Sequence, residues 1–307
     1  MNKKLTEGDF AGCGKGMIIN MKKNVVYGII AAYLCLGVII GSVYNHSRKM
    51  PWYEKHPVIC HALGSTEEGD TLTNSKEAFL YNYERGQRVF EADIQITSDG
   101  VMILRHDWGS DLGQAEAFGW TEEESWPVTK QEFLSAPIYG KYTPLTLEDW
   151  FAIMEKYPNI YMVTDTKYSS EVEEQFQLLV DTAIENGYEN VLSRVIVQIY
   201  YKEMYDEVMA IYPFRNLIWT LYYIGYSDKR EILDFMEQKD IPVLVMPSGW
   251  WDDRKKEDLV DSNIKVYVHT VNDKEEGNKK IKQGVYGLYS DDILPIEVSQ
   301  WKNLLPE

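Results

Sequence analysis

Beyond residue 57 the chain alternates between two hydrophobic periods. Short runs rich in β-branched and aromatic residues recur at 58–62, 89–96, 159–167, 195–200, 216–221, 242–248, 265–270 and 286–291. Between them lie stretches with helical spacing. Residues 74–85 carry Ala78, Phe79 and Tyr83 at that spacing, and 171–186 and 229–238 behave similarly. Alternating strand and helix signals predict a parallel sheet, and eight such units predict a (β/α)8 TIM barrel. A doubly wound open sheet is the competing arrangement, but the chain has no G-x-G-x-x-G turn that would give such a sheet a dinucleotide site.

One stretch breaks the rhythm. After 89–96 come Thr97-Ser98-Asp99-Gly100 and then a further apolar run. Asp-Gly between two apolar runs is a hairpin signal, so 101–106 is expected to be an antiparallel arm off the second strand, ending in His106-Asp107. Residues 108–143 are irregular, with Gly109, Gly113, Gly119, an acidic run at 122–124 and several aromatics. That is too long for an ordinary loop and reads as a functional segment or a small insertion. Pro144-Leu145-Thr146-Leu147-Glu148 then restarts a helix, with Thr146 as its N-cap.

The first part of the chain follows a third pattern. Residues 25–44 read VVYGIIAAYLCLGVIIGSVY, without a charge. As a helix they span about 30 Å, the thickness of a bilayer's hydrocarbon core. Tyr27 and Tyr44 near the ends, with Trp52 and Tyr53 just beyond, read as an aromatic belt. The stretch before the span is long for a signal peptide and no A-x-A-like site follows, so an uncleaved anchor is expected. The organisation is then a cytoplasmic tail at 1–24, one transmembrane helix at 25–45, a linker at 46–55 and a barrel domain at 56–307 with its insertion at 108–143. Five lysines before the span bias the chain towards a single-pass protein of the cell membrane with its barrel domain outside the cell.

Charge sharpens this division. The 307 residues hold 31 Lys+Arg and 48 Asp+Glu, a net charge of −17. Eight of the basic and three of the acidic residues fall within the first 57, leaving 23 and 45 for the rest, so a head of +5 is joined to a body of −22. A body this acidic argues against nucleic acid as a partner, since phosphate contacts need clustered Lys and Arg. It leaves open a phosphate substrate held through a bound metal. Only Cys60 lies beyond the apolar span, so the body has no internal disulfide.

Active sites of such barrels lie at the C-terminal ends of the strands. His61 ends the first run, Glu91 and Asp93 lie on the second, Asp165 and Lys167 on the third and Gln198 on the fourth, while His269 lies on the seventh and Asp291 ends the eighth. Residues two apart on a strand share a face, so Glu91 and Asp93 project together, as do Asp165 and Lys167. Carboxylates crowded into a barrel mouth repel one another unless a cation sits between them. Three hard oxygen ligands, Glu91, Asp93 and Asp165, suit Mg²⁺ or Ca²⁺ better than Zn²⁺. Each feature alone has a plainer reading as a polar face, a structural histidine, turn chemistry or a salt bridge. Their convergence on one mouth is the stronger signal.

The order His61…Asn74…Glu91-Ala92-Asp93…Thr97-Ser98-Asp99-Gly100…His106-Asp107…Pro144-Leu145-Thr146-Leu147-Glu148…Asp165-Thr166-Lys167 resembles the glycerophosphodiester phosphodiesterases, within the phospholipase-C-like phosphodiesterase barrels. The likeness runs on through Val197-Gln198, Thr270-Val271-Asn272 and Gly284 to Asp291. It implies His61 and His106 as the acid/base pair, Glu91, Asp93 and Asp165 as ligands of a divalent metal ion, and Lys167 as a stabiliser of phosphate charge. Gln198, His269 and Asn74 complete the expected substrate-binding set. The implied reaction is metal-dependent hydrolysis of a phosphodiester, glycerophosphodiester-like and drawn from a lipid headgroup or a glycerophosphate polymer.

Departures from the family pattern are specific. Ala62 stands where the family has the arginine of His-Arg-Gly, Asp165 where it has Glu, and His269 where it has the Trp of a W-T-V-N segment. The D-x-K segment without that arginine also resembles the sphingomyelinase D branch. The alternatives are therefore a sphingomyelinase-D-like lipid phosphodiesterase, or a catalytically inactive barrel acting as a membrane-anchored binding module.

Overall fold

In the computed structural model, which describes residues 51–109, 114–119, 126–166, 171–226, 228–259 and 262–303, the eight apolar runs become eight parallel strands. These are β1 (Val58–Cys60), β2 (Val89–Ile96), β4 (Tyr161–Thr166), β5 (Val195–Ile199), β6 (Asn216–Thr220), β7 (Val243–Pro247), β8 (Lys265–His269) and β9 (Gly287–Ser290), with β3 (Met102–Leu104) the extra arm. Each strand pairs with its successor, and β1 pairs with both β9 and β2, so the sheet closes into a (β/α)8 barrel with no free edge among the eight. The strand β3 runs antiparallel to β2, with Ile94 opposite Leu104 and Ile96 opposite Met102, as the Asp99-Gly100 turn predicts. Thr146 caps the helix Leu147–Lys156 through a capping box with Asp149, and an isolated bridge from Ile103 to Thr146 ties the arm to that helix start.

Strand parity sorts the side chains into two sets. Ile59, Val89, Val163, Ile196, Ile218, Val243 and Tyr267 point inward and fill the lower barrel. Residues of opposite parity, such as Cys60, Phe90, Met162, Val197 and Leu244, face outward and pack beneath the helices. Trp52 is 3 % exposed, belongs to the inner cluster and lies 5.9 Å from the Tyr267 ring. The expected belt role of Trp52 is therefore corrected, because its indole is used as a plug in the barrel floor. The compact unit begins at Trp52, earlier than the boundary drawn at residue 56. It contains all eight barrel strands, their covering helices and the plug, and so carries every element its core requires.

The insertion has a small core of its own. Ala117, Phe118, Phe133, Ile138 and Tyr142 pack on Ile103 of the hairpin arm. Arg105, 1 % exposed, lies 4.3 Å from the Phe118 ring centre and 5.0 Å from that of Trp108, and its Nε donates to the Asp107 carbonyl at 2.5 Å. The inserted segment is thus clamped onto the end of the hairpin that carries His106. Among the described residues no helix is long and apolar enough to cross a membrane. The expected span at 25–45 lies outside the described residues.

Candidate active site

The inward parity that fills the barrel floor with apolar side chains delivers the polar ones to its mouth. Two residues above the floor layer stand His61, Glu91, Asp165, Gln198, Thr220, His269 and Asp291. All of these except Asp291 line one cavity of about 210 Å³, joined by His106 from the hairpin arm. Six of the nine sequence-predicted site residues, His61, Glu91, His106, Asp165, Gln198 and His269, thus line one cavity, although they come from elements as far apart as residues 61 and 269.

His61 sits just past β1, in a single tight turn whose next two residues have left-handed backbone, φ +48° at Ala62 and +63° at Leu63. This turn aims the Ala62 amide at Glu91, whose Oε2 accepts its hydrogen bond at 2.6 Å. The position that would carry an arginine in the resembling family therefore offers a backbone donor to a carboxylate. Gly64, at φ +89°, completes the turn, and a Cβ there would sit 2.3 Å from Asn82 Nδ2 and 2.6 Å from Cys60 Sγ. Only glycine fits.

One oxygen from each of Glu91, Asp93 and Asp165 lies within 4.8 Å of the others. Asp93 and Asp165 are directly paired across β2 and β4, which fixes their separation by strand register. Two ligands on opposite sides of one ion stand about 4–5 Å apart for Mg²⁺ or Ca²⁺, at roughly 2.0–2.6 Å per bond. Glu91 is 2 % exposed and Asp93 fully buried, so their like charges are held out of water. Hard oxygen donors at this spacing fit a single hard divalent cation.

Asn74 stands behind this cluster and does not line the cavity. It does not join the helix expected from residue 74; that helix runs Lys76–Glu84, with Ser75 as its N-cap. Asn74 takes φ +49°, a conformation in which asparagine is the best tolerated non-glycine residue. Its Nδ2 donates to Asp93 Oδ2 at 2.8 Å and its Oδ1 accepts from the Asp93 amide at 3.1 Å. The side chain expected to bind substrate instead holds an acidic group in position.

Gln198 lines the cavity with both ends engaged. Its Nε2 donates to the Tyr200 hydroxyl at 3.1 Å and its Oε1 accepts from the Tyr289 hydroxyl at 3.0 Å. Tyr200 in turn donates to Asp165. Lys167 lies outside the described residues.

Each catalytic candidate histidine has a carboxylate at Nδ1. His61 Nδ1 lies 2.8 Å from Asp291 Oδ1, and His106 Nδ1 lies against Asp107. Asp291 is fixed from behind by Asn272, whose Nδ2 donates to Oδ2 at 2.6 Å and whose Oδ1 accepts from the Asp291 amide at 2.8 Å. Burial alone would lower the pKa of His61. The Asp291 hydrogen bond and the charges of Glu91, Asp291 and Asp93 outweigh it and raise the value to about 9. His269 moves the other way, to about 4, through burial and repulsion from His61, with Asp165 opposing. At neutral pH it is a neutral imidazole, able to donate or accept a hydrogen bond at the cavity.

No protein-family model and no curated protein matches the chain. Solved structures do. A phosphodiesterase from Oleispira antarctica, in complex with the product sn-glycerol-3-phosphate, superposes with a TM-score of 0.64 at 16 % identity, covering 82 % of this chain and 98 % of that one. A glycerophosphoryl diester phosphodiesterase from Parabacteroides distasonis gives 0.62 at 18 %, covering 84 % and 90 %. The enzyme from Thermotoga maritima gives 0.55 at 19 %, covering 81 % and 98 %. The chain has the glycerophosphodiester phosphodiesterase fold.

Within that fold, four site residues have roles the sequence does not assign. Asp291 reads from sequence only as a strand end, and its partner Asn272 only as part of the Thr270-Val271-Asn272 segment. Tyr200 and Tyr289 carried no signal beyond the strand period. Parity from Gln198 and Asp291 would have put both tyrosines on the inner face, but not their hydrogen bonds.

Proposed function

We propose that this chain is a metal-dependent phosphodiesterase acting on a glycerophosphodiester-like substrate. One observation carries the reading: three carboxylates are grouped as one hard cation requires, and two of them, Glu91 and Asp165, line a cavity with two histidines, each with a carboxylate at Nδ1. The phosphodiesterase of the same fold from Oleispira antarctica, with its product sn-glycerol-3-phosphate, supports the substrate class.

Glu91, Asp93 and Asp165 would hold the cation, which when bound neutralises charge on the non-bridging phosphate oxygens. The rest of the chemistry belongs to the chain. A carboxylate at Nδ1 leaves the Nε2 of each histidine to face substrate. His106 takes the proton of a hydroxyl beside the phosphate as its oxygen bonds to phosphorus. The bond from phosphorus to the leaving alcohol breaks, and His61, protonated at neutral pH, returns a proton to that alcohol. Water then opens the cyclic phosphate with the two roles exchanged. Asp291 and Asn272 hold His61 in register for both halves.

The test is turnover of bis(p-nitrophenyl) phosphate and of a glycerophosphodiester panel with Mg²⁺, Ca²⁺ or Mn²⁺, before and after EDTA. Activity that EDTA removes, with a melting temperature that the same cations raise, is expected. A folded protein that turns over no diester with any of the three would be a binding module instead. The same reading keeps 25–45 as a single-pass anchor with the barrel outside the cell, on sequence grounds. Release of the full chain from membranes by alkaline carbonate would remove the anchor.

A further inference from the structure

On one side, the cavity mouth carries the tyrosines Tyr200, Tyr222 and Tyr223. After β6 the chain makes a tight turn: Leu221, fully buried, donates its amide to the Val245 carbonyl at 2.9 Å, and its own carbonyl accepts from Ile224 and Gly225 at 3.1 and 2.8 Å. That turn lifts Tyr222, Tyr223 and Ile224 to the surface at 52 %, 55 % and 44 % exposure. The other large exposed hydrophobics among the described residues stand singly in the sequence, which is ordinary for a protein surface. Three in succession at the rim of a polar cavity are not.

Their arrangement is continuous with the site. Tyr222 and Tyr223 line the cavity itself. Tyr223 meets Tyr200 edge-on with ring centres 5.2 Å apart, and the Tyr200 hydroxyl is bonded to Asp165. Tyr222 packs 4.4 Å from Tyr223 and 6.1 Å from His269. The row of rings therefore runs from Asp165 through Tyr200 to the exposed Tyr223 and Tyr222, and the exposed Ile224 follows them in the chain. Because neighbouring rings touch, they leave neither a slot for a planar group nor the splayed faces that would cage an ammonium ion. No described lining residue is Lys or Arg, so a second anionic group lying along the tyrosine wall would meet no lysine or arginine among the described lining residues. An uncharged flexible chain is the ligand that suits such a surface.

We propose that Tyr222, Tyr223 and Ile224 form a subsite for an alkyl or acyl chain carried by one arm of the phosphodiester. The proposal rests on the phosphodiesterase reading of the adjoining site and narrows its substrate to an amphiphilic diester. A polymer carrying a charge on every unit is disfavoured.

Alkyl phosphocholines of four, eight and twelve carbons test it. They are phosphodiesters without a hydroxyl beside the phosphate, so the proposed chemistry leaves them intact as binding probes. Binding is followed by titration calorimetry on the compact barrel unit, residues 52–307, with each probe below its micelle concentration. A fully buried methylene is worth about fourfold in affinity. A wall that covers one side of the chain should give roughly twofold per methylene. In Tyr222→Ser/Tyr223→Ser, and separately in Ile224→Ser, that slope should flatten, whichever way the butyl compound moves. A flat slope in the wild type, or a slope untouched by both variants, overturns the subsite. Self-association of the unit that Ile224→Ser abolishes, together with a flat slope, would assign the wall to a second copy and also overturn it. The two readings fail separately. Chain-length dependence without turnover of any diester would remove the hydrolase and leave the subsite. Turnover without chain-length dependence would do the reverse.

Discussion

Asp93→Asn is expected to lower turnover by about a thousandfold or more while leaving the metal-free protein at least as stable as the wild type. Both halves follow from where Asp93 sits. It is fully buried, paired across the sheet with Asp165, and shares a site with the nearly buried Glu91. Removing its charge deprives a divalent cation of one of three anionic ligands, and the charge stabilisation that such a cation supplies is worth several kcal/mol, or about 10³ in rate. The same change relieves repulsion between buried carboxylates when no cation is present, and asparagine keeps an oxygen to accept from Asn74 Nδ2. Melting temperature measured with and without Mg²⁺ or Ca²⁺ separates these effects. The wild type should rise on adding metal, whereas Asp93→Asn should scarcely respond. A variant that keeps a wild-type metal response would show that the three carboxylates do not act as one ligand set.

The second large effect is expected at Asp291. Asp291→Asn should reduce kcat by about 10² to 10⁴ and shift the alkaline limb of the pH–rate profile to lower pH. His61 is buried, which disfavours its charged form, but it is held at about 9 by the Asp291 hydrogen bond together with the charges of Glu91, Asp291 and Asp93. The direction follows from the raised value. The protonated acid is present below about 9 and is lost as pH rises through it, so removing the largest raising cause brings that loss down towards the ordinary histidine range. A bound cation would offset Glu91 and Asp93, which leaves Asp291 the dominant remaining support of the His61 proton. The profile is measured as kcat against pH with metal at saturation. An alkaline limb that stays in place would mean that His61 is not the group titrating there. Because Asn272 bonds both the carboxylate and the amide of Asp291, Asn272→Ala should give a weaker version of the same shift.

Ala62 links these expectations to the missing arginine. In the resembling family a cation at that position grips phosphate. Here the left-handed turn at Ala62 and Leu63 spends the backbone amide on Glu91, and no described residue lining the cavity is Lys or Arg. Positive charge at the phosphate would then rest on the bound metal, on protonated His61 and on Lys167, whose placement lies outside the described residues.

The sequence by itself determined what local period and short-range chemistry can encode. Eight strands, the Asp99-Gly100 hairpin, the Thr146 cap and the grouping of Glu91 with Asp93 were all legible, because residues two apart on a strand must share a face and a turn is written within four residues. Barrel closure was implied by the count of units, and closure brings the strand ends to one mouth. Tertiary structure decided the rest. Trp52 reads from sequence as a membrane-edge residue, and only the barrel floor supplies the inner cluster that takes it instead. Asn74 reads as the start of a helix, and only the nearby Asp93 makes its left-handed conformation worth adopting. The bond from His61 to Asp291 joins residues 230 apart in the chain. Tyr200 reaches Asp165 across 35 residues and two adjacent strands. No periodicity carries such pairs, since each partner's signal is that of an ordinary strand residue and the contact exists only after the sheet has closed.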